Sequence, residues 1–177
     1  DVVIATGAVP SRPWFVGDGA TCGVADVRDV LTGDAAPSGR VVVFDELGFH
    51  HATSVAELLA DRGCDVEIIT PGMVVGQDLG VTLDMEQFLV RAHLAEITLT
   101  TDTLISGVEG DELQLTHHPT GADDTRTVDW LVLSVQQVPD SALYHESVAA
   151  GLAVHRVGDA LAPRRAHAAV IDGQRVG

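Results

Sequence analysis

The stretch Arg40-Val41-Val42-Val43-Phe44-Asp45-Glu46-Leu47-Gly48-Phe49-His50-His51-Ala52-Thr53-Ser54-Val55-Ala56-Glu57-Leu58-Leu59-Ala60-Asp61-Arg62-Gly63-Cys64-Asp65-Val66-Glu67-Ile68-Ile69-Thr70 decides the fold. Arg40 to Phe44 is a nearly continuous β-branched run, the pattern of a strand covered on both faces. Ala52, Val55, Ala56 and Leu59 then recur at helical spacing, and Arg62-Gly63 supplies a basic last turn and a stop. Asp65 to Thr70 is the next strand, ended by Pro71-Gly72. A βαβ unit of this kind requires a parallel pair and a right-handed crossover.

Working outward, Met85, Phe88, Leu89 and Ala92 mark a second amphipathic helix, with Met85 and Phe88 as core residues, and Glu96 to Thr101 a third strand. The period then changes to two. Leu104 to Val108, Glu112 to Thr116 and Thr127 to Val135 read as strands of an antiparallel meander, joined by Gly-Asp and Pro-Thr-Gly-Ala-Asp-Asp turns. Ser141 to Ala149 reads as a short helix, Ala153 to Val157 as a strand and Arg164 onward as a helix. Upstream, Asp1 to Gly7 is a buried strand running into a turn. The expected class is α/β: a Rossmann-like parallel sheet with helices on both faces plus a small antiparallel meander. A first strand without lead-in, and a last helix broken off within Gly173 to Gly177, read as cuts through a larger polypeptide.

A chain of 177 residues, 46% hydrophobic and 20% charged, is globular and has no need of stapling. No apolar run approaches the roughly 20 residues that cross a bilayer, and the N-terminus lacks a signal peptide's basic flank, so a soluble cytoplasmic protein is the default. Cys22 and Cys64 lie far apart without CxxC spacing and read as two small free thiols. The 26 acidic and 10 basic residues give −16, a field that repels phosphate backbones and argues against nucleic acid and anionic membranes as partners. Every basic residue is Arg and Asp far outnumbers Glu. That surface suits concentrated salt, although an Arg- and Ala-rich coding bias would also remove Lys.

Three segments resemble a known family. Asp1 to Pro10, the Arg40 to Pro71 unit, and Val154 to Val176 with its Val157-Gly158-Asp159-Ala160 core resemble the two-dinucleotide-domain flavoproteins. Within these, the likeness is to the C-terminal part of the old yellow enzyme-like, iron–sulfur flavin oxidoreductases: trimethylamine and histamine dehydrogenases and 2,4-dienoyl-CoA reductase. The resemblance implies a pyridine-nucleotide-type domain inserted into an FAD-type domain. Residues 1–36 would then be an outer FAD/ADP-type segment and linker, 37–134 the inserted NAD(P)-type domain, and 135–177 the return into the outer domain. The first βαβ unit of the outer domain, and the barrel that in these relatives carries FMN, a 4Fe-4S cluster and the substrate pocket, would lie elsewhere in the parent. The chain itself would hold no catalytic residue.

For binding, the resemblance implies that Ala5-Thr6-Gly7 and Gly158-Asp159 contact FAD or ADP. A glycine turn admits close backbone approach, and a Gly-Asp pair at a strand end can offer an N–H and a carboxylate to a polyol or pyrophosphate. The bland alternative for Asp159 is a helix cap. Ala162-Pro163-Arg164 is read as the start of the helix, with Pro163 in its first turn and Arg164 free to reach an anionic group or the isoalloxazine edge. The closing segment Ser134 to Asp140 lacks the glycine usually found before its proline.

The Asp45 to Val55 turn stands where a nicotinamide site carries GxGxxG, and only Gly48 remains. Asp45 and Glu46 put negative charge where phosphates would lie, and Thr70 stands where an acidic residue normally holds a ribose. The inserted domain is therefore read as having lost NAD(P), as in the amine dehydrogenase branch, which uses an adenine nucleotide structurally and passes electrons to a separate acceptor. Two alternatives stay open: an NAD(P)H domain of a dienoyl-CoA reductase-like enzyme, and a degenerate Rossmann-like structural or docking module. Expected partners are the rest of the parent, an electron acceptor protein and a second copy of the parent. His50-His51 and His117-His118 invite a metal reading, but strand alternation parts the second pair, and the first reads as pairing locally with Asp45 and Glu46. No metal site is expected, and neither a GxSxG elbow nor a Cys–His nucleophile occurs.

Overall fold

The computed structural model describes residues 1–177, which form two compact units. Unit 1 comprises Asp1–Ser11 and Gln136–Gly177, and unit 2 is Arg12–Val135. Unit 1 begins with β1 (Val2–Ile4) and β2 (Ala8–Val9). Unit 2 runs β3 (Gly23–Asp26), α1 (Val27–Thr32), β4 (Arg40–Asp45), α2 (His50–Asp61), β5 (Asp65–Ile69), α3 (Met85–Leu94), β6 (Thr98–Thr100), β7 (Thr103–Glu109), β8 (Glu112–His117), β9 (Ala122–Thr127) and β10 (Trp130–Ser134). The chain returns to unit 1 with β11 (Val138–Pro139), α4 (Ala142–Ala149), β12 (Val154–Arg156) and α5 (Ala166–Val176).

Unit 2 is a five-stranded parallel sheet in the order β3-β10-β4-β5-β6. Alternation along β4 splits the core into two layers. Val41 and Val43 face Val27 and Val30 of α1, Ala52, Val55, Ala56 and Leu59 of α2, and Phe88 and Ala92 of α3. Val42 and Phe44 face the other way, onto Ile105, Val108, Leu113 and Leu115 of the β7-β8-β9 meander together with Phe15 and Val16. The α/β class, parallel sheet and meander are as the sequence leads one to expect. The second face, however, is covered by the meander, where helices were expected.

Two further differences follow from pairing. The meander's third strand is β9, in a stretch read as turn, while Trp130–Ser134 lies between β3 and β4 in the parallel sheet. The break falls at Val128-Asp129, where Asp129 turns its carboxylate onto the backbone N–H of Arg40 at 2.8 Å and ion-pairs with the Arg40 guanidinium. The other difference is that Gly23–Asp26 is an edge strand of this sheet, so unit 2 starts at Arg12 and not near residue 37.

In unit 1, β1 and β12 form a parallel pair and β2 and β11 an antiparallel one. No helix in the structure is long and apolar enough to cross a membrane.

Candidate functional site

In unit 1 the candidates issue from two neighbouring strand ends. Val2, Val3 and Ile4 are in register with Val154, His155 and Arg156, and the Val157 N–H reaches the Ile4 carbonyl at 3.0 Å. Ala5-Thr6-Gly7 and Gly158-Asp159 therefore leave at the same carboxyl end, where ligands sit in open parallel sheets. Thr6 Oγ donates to the Asp140 carbonyl at 2.6 Å and the Asp140 N–H donates to the Gly7 carbonyl at 3.0 Å, which locks the first turn. Gly7 has φ +85°, and a Cβ there would meet nothing within 4 Å, so backbone conformation alone selects glycine and the space beside it is open.

The second turn is tighter. Gly158 has φ +60°, and a Cβ on it would approach the Ala169 Cβ to 3.2 Å, because α5 lies against it. The Gly158 N–H donates to Asp172 Oδ2 at 3.2 Å, and Asp159 Oδ1 accepts the Arg164 N–H at 3.1 Å. Arg164 donates its Nε–H to the Ala162 carbonyl at 3.1 Å and its Nη2–H to Asp172 Oδ2. The side chain expected to reach outward is thus folded back, because Asp172 is only 6% exposed and a buried carboxylate requires a cationic or hydrogen-bonding partner. The helix starts at Ala166 with Arg165 as N-cap, so Pro163 precedes it and Asp159 does not cap it. The Pro163 carbonyl instead accepts Gln136 Nε2–H at 3.0 Å.

Gly48 lies in unit 2. There the order of strands reverses between β4 and β10, the position at which doubly wound sheets bind dinucleotides. Asp45 ends β4, is fully buried, and stands in register with Ser134 at the end of β10. Its Oδ1 accepts the N–H groups of Leu47 at 3.1 Å and Gly48 at 2.9 Å, while its Oδ2 and the Ser134 hydroxyl have no partner. Burial pushes the Asp45 carboxyl up to about 6, against the lowering effect of the amides of Gly48, Leu47 and Gly76. Thr70 donates its hydroxyl to the Asp45 carbonyl at 2.7 Å, and the Asp78 N–H donates to the Gly48 carbonyl at 2.8 Å. The Leu47 and Gly48 amides and the Thr70 hydroxyl are thus consumed internally.

The histidines separate. His50 Nε2 lies 3.4 Å from Asp84, not beside Asp45 and Glu46, because α2 turns its ring toward the segment preceding α3. Desolvation lowers the pKa of His51. His117 bonds Thr120 and His118 bonds the Pro71 carbonyl. No group of three or more His, Cys, Asp or Glu is placed to hold a metal ion.

Asp172 is the site residue that sequence reading missed. In Ala166–Val176 an aspartate reads as a solvated helix face, and only its place one helical turn past Ala168 and Ala169 puts it on the packed side. Chemically, a glycine turn with open space and an aspartate with one oxygen engaged fit the hydroxyl-bearing part of a nucleotide or flavin. The chain has no GxGxxG, so these residues supply no phosphate cradle of that type.

Comparison with known proteins agrees with this architecture. Residues 26–127 match the family described as OYE-like second alpha/beta domain. An N,N-dimethylglycine/sarcosine dehydrogenase of Chromohalobacter salexigens is 29% identical over 214 aligned positions, covering 99% of this chain and 31% of that protein. The structure of histamine dehydrogenase from a Rhizobium species superposes with TM-score 0.90 at 20% identity, over 99% of this chain and 30% of that one, a likeness of fold. The structure of 6-hydroxypseudooxynicotine amine oxidase from Pseudomonas geniculata gives TM-score 0.82 at 26% identity, over 98% of this chain and 28% of its own. The chain spans about three-tenths of the length of the curated relatives it matches.

Proposed function

The chain belongs to the OYE-like second alpha/beta domain family, and from that premise we propose that it is the nucleotide-domain portion of a flavin-dependent, amine dehydrogenase-like oxidoreductase. Unit 1 holds FAD or ADP in the intact enzyme, and unit 2 takes no NAD(P). The relatives' names support the amine branch: one is a dimethylglycine/sarcosine dehydrogenase and another an amine oxidase. The observation that carries the reading is the shared exit of Ala5-Thr6-Gly7 and Gly158-Asp159 from the paired strands β1 and β12.

When bound, a flavin supplies reversible acceptance of electrons from substrate. The chain's own part is to hold the nucleotide. Asp159 keeps Oδ1 on the Arg164 amide and offers Oδ2 to a ligand hydroxyl, while Gly7 lets the backbone come close. In unit 2, the Leu47 and Gly48 amides and the Thr70 hydroxyl are bonded within the chain and so are not offered to a pyrophosphate or ribose, which supports the loss of NAD(P).

The test is Asp159→Asn in the full-length polypeptide that contains this chain. Asn keeps an oxygen for the Arg164 amide but puts a carboxamide NH2, a donor, where Oδ2 accepted the ligand's hydroxyl. Loss of the charge-assisted bond costs about 1–2 kcal/mol of binding. Adenine nucleotide per chain after gel filtration should fall at an unchanged melting temperature. Equal content in both proteins would make Asp159 a turn-closing residue only.

A further inference from the structure

The residues around Gly158 close a ring. Asp172 Oδ2 accepts the Gly158 N–H and the Arg164 guanidinium, and the Arg164 backbone N–H returns to Asp159 Oδ1, the residue after Gly158. Each member depends on the next. Gly158 sits in the left-handed region with α5 pressed against it, so its amide can meet Asp172 only while that helix keeps its place. Asp159 has one carboxylate oxygen fixed by a backbone amide whose own position follows from where the Arg164 side chain is tethered.

Asp172 is not itself a ligand contact. It is nearly fully buried, on α5, with its hydrogen-bonding oxygen already doubly used. A buried carboxylate with a single close cation is costly unless both partners stay in place, so the ring is held shut by the penalty for opening it. Its consequence is orientational: the Gly158 peptide and the Asp159 carboxylate are each held by a hydrogen bond within the ring.

We propose that Asp172 is the positioning residue of the nucleotide-facing turn, acting through the Gly158 amide and the Arg164 guanidinium to fix the direction in which Asp159 presents its free oxygen. This rests on the reading that unit 1 holds an adenine nucleotide. It also gives Arg164 a new role, as a tether within the ring and not an arm toward the ligand.

The test is a double-mutant cycle on adenine nucleotide retention in the full-length polypeptide, using D172N, D159N and their combination, with ADP and FAD as titrants after the nucleotide is stripped. Asp172→Asn alone should weaken retention about tenfold, the scale of one charge-assisted contact. With Asp159→Asn already present, adding Asp172→Asn should change retention little, because residues that act through one another are not additive. Unchanged retention in D172N overturns the proposal. So does an equal fold-loss in both backgrounds, which is what a purely structural role for Asp172 gives. A wild-type protein that holds and binds no adenine nucleotide removes the underlying reading, and the proposal with it, whereas a loaded wild type beside an unaffected D172N removes the proposal alone. Should D172N not fold, Arg164→Gln carries the test, since that side chain is about two-fifths exposed and its replacement spares the core. Retention lost by R164Q, and not lost further when D159N is added, supports the ring, and retention unchanged by R164Q overturns it.

Discussion

Asp45 accepts the backbone N–H of Gly48 at 2.9 Å, so a carboxylate of the chain itself occupies the βα turn in which a dinucleotide's phosphate would collect its amides. An anionic ligand arriving there would have to displace a buried group bonded to two consecutive amides and would meet like charge at Asp45, Glu46 and Asp78. NADH and NADPH are expected to bind this chain no more tightly than roughly millimolar, about −4 kcal/mol. Calorimetry measures it directly, and micromolar affinity would restore the dienoyl-CoA reductase alternative.

Asp45 also gives a pH signature. Burial raises its carboxyl from 3.8 to about 6, so the folded state keeps the proton to higher pH than the unfolded chain does. The group's contribution to stability is therefore full below about pH 4, falls as pH climbs to about 6, and above that costs roughly 3 kcal/mol. Asp45→Asn cannot ionise and keeps an oxygen for the Leu47 and Gly48 amides. In urea unfolding it should exceed the parent chain in stability by about 2–3 kcal/mol near pH 7.5 and match it near pH 4. A constant difference between the two across that range would remove ionisation as the cause.

The two turn glycines should respond unequally to alanine. At Gly7 only the left-handed backbone opposes a side chain, and Gly7→Ala should cost about 1 kcal/mol. At Gly158 the same backbone cost is joined by contact with Ala169, and Gly158→Ala should cost about 2–4 kcal/mol. Thermal unfolding of both variants checks the order, and equal costs would mean that α5 yields freely.

What could be read from the sequence, and what could not, divides on range. The βαβ unit was legible because apolar periodicity is local, and the continuous run from Val41 to Phe44 is buried on both faces as its pattern requires. The same signal stands in Trp130-Leu131-Val132-Leu133, but the sequence reads Thr127 to Val135 as one strand of the meander and Pro119 to Asp124, where β9 begins, as its turn. Asp129 marks the division only through its bond to Arg40, 89 residues away in the chain. Gly23–Asp26 went unread since Gly, Ala and Asp are poor strand formers, and its pairing with β10 overrides that propensity. In the candidate site, glycine turns announce themselves by residue type. The inward course of Arg164 does not, because it depends on Asp172 two turns along a helix.

Salt should act on the whole surface. Net charge is −16 with no Lys, and exposed acidic groups repel one another until ions screen them. The melting temperature should climb by several degrees between low and molar potassium chloride. A flat response would leave coding bias as the reason for the composition.

The central claim is that unit 1 holds an adenine nucleotide and unit 2 none, and adenine content decides it most directly. FMN contains no adenine, so acid release of nucleotides from the full-length polypeptide, followed by chromatography, reads the proposed site without interference from a second flavin. The account predicts a single adenine nucleotide per chain, recovered as FAD or ADP and reduced in Asp159→Asn. Protein free of adenine, or adenine recovered as NAD(P), would contradict it.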